Sequence, residues 1–221
     1  MIRRNAWLEE DMRIDIWSDY VCPFCTIGEK HLSMALEDFE GKDDVEIIWR
    51  SFELTPDAPK EPTVSGPQWL AESKGMAPAQ VEQMLTGLAQ RAEAIGLEFN
   101  WRDQVIANTF DAHRVGHAAR EAGLGTQWDA ALKHAYFTEG KNVASPETMR
   151  KVGEQVGLEP SLIDDVLATE KYADSVNEEI QAARQMGING VPFFVFDGKL
   201  AVSGAQPPEV FTQALNEVRG M

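Results

Sequence analysis

Ser18-Asp19-Tyr20-Val21-Cys22-Pro23-Phe24-Cys25-Thr26-Ile27-Gly28 is the stretch on which the reading of this chain turns. It holds both cysteines of the sequence, in a C-x-x-C arrangement. Before it, Arg13 to Ser18 alternates in the manner of a strand. Behind it, Leu32, Ala35, Leu36 and Phe39 keep the i, i+3, i+4, i+7 spacing of a helix with one buried face. The cysteines therefore stand at a strand-to-helix junction, where backbone N–H groups are unpaired and the helix dipole is positive. Such a place favours thiolate over thiol. It also divides the roles. Cys22, first in the turn, is expected to be the exposed attacking thiolate, and Cys25, one helical turn inward, the shielded resolving thiol. The pair reads as a dithiol/disulfide redox site.

Two other readings compete. A structural disulfide closing so short a loop adds little chain-entropy stabilisation. A zinc site would draw on His113 and His117, which are spaced i, i+4. Residues 26–112, 87 in all, separate them from the cysteines, whereas a finger has about 12–15. That interval forbids a finger and leaves a tertiary zinc site, in a non-enzymatic binding module, as the alternative.

The chain has 221 residues, enough for one large domain or a domain carrying an insert. Its 36 acidic and 20 basic residues give a formal charge of −16. This argues against nucleic acid or an anionic membrane as partner, since both require clustered Lys and Arg; solubility is the simpler meaning of the charge. No apolar run approaches the ~20 residues of a membrane span. Residues 1–11 include Arg3 and Arg4 but no apolar core, so they read as a leader rather than a secretory signal, and Met12 is an equally good start. The expected location is the cytoplasm. There, vicinal cysteines are more often catalytic or metal-binding than structural.

Along the chain, Val45 to Phe52 reads as a second strand. Pro56, Pro59 and Pro62 then mark an exit from the sheet. From about Ser65 to Gln185 every pattern is helical. One predicted helix opens at Pro78, with Val81, Met84, Leu85, Leu88, Ala92 and Ile95 on one face and a stop at Gly96. Others cover Asn108 to Gly123 and Trp128 to Phe137, open at Pro146 and Pro160, and end at Gly187. Strand character returns at Val191-Pro192-Phe193-Phe194-Val195-Phe196. Asp197-Gly198 signals a hairpin, Leu200 to Ser203 the return strand, and Pro207-Pro208 a closing helix. The order βαβ, helices, αββα is an α/β class: a thioredoxin fold with an inserted all-helical domain. The expected division is 12–62 and 181–221 for the thioredoxin part and 63–180 for the insert.

Cys22-Pro23-Phe24-Cys25, Gly190-Val191-Pro192-Phe193-Phe194-Val195 and Gly204-Ala205-Gln206-Pro207 together resemble the DsbA-like thiol oxidoreductases of the FrnE branch. The likeness spans nearly all of residues 13–218. It also takes in Trp49-Arg50-Ser51-Phe52-Glu53-Leu54 and Asn108-Thr109-Phe110-Asp111-Ala112-His113-Arg114. The resemblance implies a cis Val191–Pro192 bond against the cysteines, with the Val191 backbone free to pair with a substrate strand. The expected site then has Cys22 and Cys25 as catalytic residues, substrate contacts from Pro23, Phe24, Asn108, His113, Val191 and Pro192, and no metal. Protein or small-molecule disulfides and dithiols are the expected partners. The redox-active disulfide needs no cofactor, and glutathione is a possible co-substrate.

The sister group, 2-hydroxychromene-2-carboxylate isomerases and kappa-class glutathione transferases, shares the architecture but usually carries serine at the nucleophile position. Two cysteines fit thiol exchange better, and glutathione-dependent isomerase or transferase chemistry is the alternative. Three positions bear on the chemistry. Ile16 occupies the place, six residues before Cys22, where thioredoxin and DsbA carry a buried acid. Asp15 is expected on the opposite face of the strand. Asp19 is a candidate to reach the site, its plain reading being a solvated turn residue. His113 and His117 share a helix face with Phe110 and are candidates to line the cleft, with packing as the plain alternative.

Overall fold

The structure, a computed structural model, describes residues 12–221; the expected leader lies outside them. β1 (Met12–Ser18) and β2 (Val45–Ser51) pair in parallel, Ile14 opposite Ile47 and Ile16 opposite Trp49. Parallel neighbours require a crossover, and α1 (Pro23–Glu37) supplies it. β3 (Phe193–Phe196) runs antiparallel to β1, and β4 (Leu200–Ser203) antiparallel to β3, giving the order β2-β1-β3-β4. The β3–β4 turn places Asp197 and Gly198 at φ 49° and 67°, the paired left-handed conformations of a tight hairpin. This is the expected thioredoxin sheet. β3 starts two residues later than the apolar run suggests, because Pro192 has no N–H for the ladder.

One face of the sheet is closed by α1 and by α9 (Pro208–Arg219) around Ile14, Ile16, Leu32, Phe194, Phe196 and Phe211. Phe194 and Phe211 meet edge to face at 4.8 Å, and each fully buried side chain of this size contributes roughly 1.5–3 kcal/mol.

Between β2 and β3 lie α2 (Gly66–Lys74), α3 (Pro78–Glu93), α4 (Phe110–Glu121), α5 (Gly125–Phe137), α6 (Pro146–Val156), α7 (Pro160–Ala168) and α8 (Ala173–Gln185). The insertion is helical, as expected, with one departure: residues 94–109 form turns and extended chain. Phe99 and Trp101 are nevertheless buried there, so apolar spacing within this stretch reflects anchoring rather than a helix. The helix expected from Asn108 starts at Phe110, with Thr109 as its N-cap, and the Asn108 Oδ1 accepts the Phe110 N–H ahead of it. Met84, expected inward on α3, is 44% exposed.

The insertion does not merely sit on the sheet. Tyr20, Val21 and Ile27 belong to its apolar core, together with Val115, Trp128, Leu132 and Tyr136. On the other side α8, which runs through the expected boundary at residue 180, lies against β2. Glu179 of α8 is buried and accepts hydrogen bonds from the Ser51 N–H (2.8 Å), Arg50 (2.8 Å) and Arg120 (3.1 Å), with His117 Nε2 at 3.1 Å. Burial alone would raise its pKa, but His117, Arg50 and the Ser51 N–H reverse this and hold the carboxyl well below the usual range.

A carboxyl depressed in the folded state stabilises the fold above its unfolded titration and loses that contribution as pH falls. Glu179→Ala should therefore cost about 1–3 kcal/mol, since it leaves the buried Ser51 N–H and the partly buried Arg50 and Arg120 without their acceptor. The wild type should lose stability as pH drops below the ordinary glutamate value of 4.5, and the variant should lose less over the same range. Urea unfolding at a series of pH values measures both; parallel profiles would show that Glu179 does not carry the linkage.

Candidate active site

Cys22 is the N-cap of α1, and Pro23 occupies the first helical turn, where a missing N–H is tolerated. The Cys22 Sγ accepts the Cys25 N–H at 3.4 Å, and the Cys22 carbonyl accepts the same N–H at 3.1 Å. The sulfur thus takes the role of a capping oxygen at the positive end of the helix. On its other side it lies 3.6 Å from the Val191 carbonyl oxygen. The Val191–Pro192 bond is cis, as the resemblance implies. Gly28 lets the proline come this near: a Cβ there would stand 3.0 Å from Pro192 Cγ and 3.3 Å from the Ala205 backbone.

Cys22 is less open than the sequence suggested. It is 2% exposed, because the Val191 carbonyl and the proline loop cover the sulfur, and Cys25 is fully buried. Burial, followed by the contact with Cys22, pushes the Cys25 thiol well above its ordinary pKa. The two sulfurs therefore stand in unlike surroundings: one caps a helix, and the other is a buried thiol inside it.

Asp19 is fully buried, not a solvated turn residue. Its Oδ2 accepts the Leu54 N–H at 2.8 Å, tying the active-site turn to the chain leaving β2. Its Oδ1 lies 3.6 Å from His113 Nε2, beyond hydrogen-bond range. His113 is also buried, its Nε2 3.0 Å from the Phe52 carbonyl and its ring 4.7 Å from that of Tyr20. Both histidines are thus held inside the fold: His117 joins Glu179 at 3.1 Å, with Arg120 2.7 Å from its Nδ1. Among the described residues no group of three His, Cys, Asp or Glu could hold a metal ion. Asn108 bridges the segment after β2 to α4, its Nδ2 donating to Glu53 Oε1 (3.1 Å) and the Pro56 carbonyl (2.8 Å).

Beside the cysteines opens an apolar cleft of about 580 Å³, lined by Pro23 and Phe24 of α1, Leu54, and Trp69, Met84 and Leu88 of the insertion. Phe24, Leu54 and Met84 are 48%, 42% and 44% exposed, an unusual display for such residues. A second cavity, of about 630 Å³, lies along the rest of α1.

That second cavity exposes what sequence reasoning missed. Lys133 of α5 is buried and donates to Ser18 Oγ (2.9 Å), Asp129 Oδ2 (2.8 Å) and Glu29 Oε1. Burial, then Asp129, pushes the Glu29 carboxyl up to about 8. Burial raises Asp129 as well, against the pull of Lys133. Burial would lower the Lys133 ammonium, but Asp129 and Glu29 outweigh it and hold the charge above its ordinary value. The available signal was the spacing of Asp129 and Lys133, one turn apart in a helix whose other residues include Trp128, Leu132, Ala135, Tyr136 and Phe137.

With fold and geometry in view, the comparisons with known proteins become informative. The DSBA-like thioredoxin domain matches residues 13–216. The chain belongs to that family. A probable DsbA oxidoreductase from Streptomyces coelicolor is 38% identical; the match covers 95% of this chain and 90% of that one, with a TM-score of 0.89. The YwbO protein of Bacillus subtilis strain 168 is 29% identical over 209 residues, 93% of this chain and 96% of the relative. At 16% identity, the structure of the cytosolic disulfide reductase DsbM from Pseudomonas aeruginosa with GSH shares the fold, with a TM-score of 0.64 over 95% of this chain and all of that one. The first expectation met here is the fold and family; the roles of individual residues rest on the geometry above.

In the reduced protein, iodoacetamide should label Cys22 at least tenfold faster than Cys25, because a buried thiol held above the ordinary pKa of about 8.5 is inert. Peptide mass mapping over time measures the ratio. Faster labelling of Cys25 would reverse the assignment of roles.

Proposed function

We propose that this protein is a thiol–disulfide oxidoreductase working through Cys22 and Cys25. The observation that carries the reading is the seat of the Cys22 sulfur, which accepts the Cys25 N–H at the N-terminus of α1 and faces the Val191 carbonyl at 3.6 Å. A helix N-terminus stabilises the sulfur as an anion, both while it attacks and when it leaves. Cys22 attacks a substrate disulfide and forms a mixed disulfide. Cys25 then attacks Cys22, the intramolecular disulfide closes, and the substrate leaves as a thiol; the reverse sequence oxidises a dithiol.

The Val191 backbone beside the sulfur is suited to hold an extended substrate segment, and Pro23 and Phe24 lead from it into the apolar cleft. That cleft supports protein disulfides as substrates alongside small ones. Glutathione is a candidate co-substrate, given the relative whose structure holds GSH. The redox element is the cysteine pair itself, with no bound cofactor in the scheme. A cytoplasmic site of action is supported by the cytosolic relative; among the described residues no helix is long and apolar enough to cross a membrane.

Cys22→Ser should abolish insulin-disulfide reduction, and Cys25→Ser should accumulate mixed disulfides that dithiothreitol releases. Met84→Glu, at the cleft wall, should reduce turnover of a protein substrate several-fold while sparing a small disulfide. Insulin turbidity and a chromogenic disulfide read these out. Full insulin reduction by Cys22→Ser would end the proposal; equal effects of Met84→Glu on both substrates would remove the cleft from it.

The oxidising DsbA proteins resemble this chain but carry histidine before the second cysteine, where Phe24 stands. An aromatic hydrocarbon adds neither charge nor a strong hydrogen bond to the thiolate. The potential should therefore lie on the thioredoxin side, more reducing than the roughly −120 mV of DsbA, and Phe24→His should raise it by tens of millivolts. Equilibration against glutathione checks both; a wild-type value at the DsbA level contradicts the argument.

A further inference from the structure

Thiol exchange moves protons as well as electrons, and Cys25 has none of the usual means of disposing of one. It is buried and neutral, and the position where a buried acid was sought is Ile16. We propose that the Glu29–Asp129 carboxyl pair, held by Lys133, is the proton acceptor and donor for Cys25, and that it trades this proton with solvent through the second cavity. The proposal rests on the exchange chemistry at Cys22 and Cys25 given above.

Four observations carry it. First, Glu29 follows Cys25 by four residues on α1, so the two share a face. Helical side chains lean back over the preceding turn, which turns the carboxyl toward the thiol; Glu29 and Lys133 both act on Cys25 through their charge rather than by a direct hydrogen bond, so the proton is passed through an intervening water. Second, the cluster is internal: the Lys133, Asp129 and Glu29 side chains are 3%, 5% and 13% exposed. Third, its charges do not balance. The three bonds of Lys133 to Ser18, Glu29 and Asp129 use all its donors, so one cation faces two carboxyls. An uncompensated buried charge is costly, so the pair is poised to hold one proton in common, as neighbouring carboxyls do. Fourth, Glu29, Asp129 and Lys133 line the second cavity, which also reaches the exposed Glu98 and His134.

This route is separate from the substrate cleft. Phe99 and Phe137, stacked at 4.4 Å, line both cavities and stand between them. A bound substrate would leave the proton path open.

The Cys25 S–H bond gives its proton to the pair, and its sulfur attacks Cys22 Sγ. The Cys22–Cys25 bond forms as the bond from Cys22 to the substrate breaks, and the electron pair departs on the substrate sulfur. In the oxidising direction the proton returns from the pair to Cys25.

The groups that face the pair are Cys25 and Lys30 from α1, Ser18 and Tyr20 from the end of β1, and Lys133 and His134 from α5. Glu98 comes from the 94–109 segment, and His113 of α4 acts on Asp129. Because burial and Asp129 push the Glu29 carboxyl up to about 8, the resolving step, which needs a vacant carboxylate, should quicken as pH rises through that region.

The test mixes reduced protein with a large excess of the chromogenic disulfide of thionitrobenzoate. Capture by Cys22 releases one thionitrobenzoate, and closure by Cys25 releases a second. In the wild type the second phase should rise through about pH 8 and level off. In Glu29→Gln it should slow about tenfold or more at that pH and climb with hydroxide without levelling, the loss expected on removing a general base. Asp129→Asn should shift the inflection, and the amplitude of the first phase reports that each variant retains a folded Cys22 site. A second phase with the same pH profile in Glu29→Gln and wild type overturns the proposal. So does a wild-type second phase with no inflection anywhere above the ordinary carboxyl range, a result that needs no variant. Absence of the first phase in the wild type would instead remove the exchange reading itself.

Discussion

The burial of Tyr20 in the helical core is the constraint on which the rest of the molecule depends. Its ring packs on His113, and its hydroxyl accepts the Trp128 indole N–H at 3.2 Å. Gly116 of α4 gives it room, since a Cβ at that position would collide with the hydroxyl. A buried tyrosine of this kind combines a large apolar area with one fixed polar contact. Placed two residues before Cys22, it pins the cysteine-bearing turn to the insertion while β1 and α1 pin it to the sheet. The cysteines therefore stand at a seam, and their position relative to either half cannot drift independently.

Two buried ionic groups flank that seam on opposite sides of β1 and β2. Glu179 joins α8 to β2 through Arg50, Arg120 and the Ser51 N–H. Lys133 joins α5 to α1 and to the end of β1 through Glu29 and Ser18. Neither is needed to make a core, and buried ion pairs are poor sources of net stability. Each, however, ties a helix of the insertion to the sheet through several directional contacts at once.

Much of this was legible in the residues. The C-x-x-C between a strand and a helix, the Asp197-Gly198 hairpin and the proline-led helices all signal locally, and each formed where its spacing placed it. What escaped was what depends on distant neighbours. Met84 keeps a helical register with buried residues, but its side of α3 faces the cleft rather than the core. Cys22 was read as exposed because the carbonyl that covers it comes from Val191, 169 residues away. Asp129, Lys133 and Glu29 look in sequence like ordinary solvated charges; only the convergence of α1, α5 and β1 buries them. Residues 94–109 carry apolar spacing that serves anchoring by Phe99 and Trp101, a use that periodicity does not separate from a helix.

The apolar cleft has a consequence for the protein as a colloid. Phe24, Leu54 and Met84 form a greasy edge that two copies could share as readily as a substrate. The formal charge of −16 opposes such encounters, because like-charged molecules repel at long range and stay dispersed. The charge and the cleft are thus complementary parts of one arrangement. Acid near the sequence pI of 4.6 removes the repulsion and leaves the edge, while salt shortens its range to about a nanometre or less. An exposed apolar edge of this kind remains compatible with dispersion only while the net negative charge of the chain is intact.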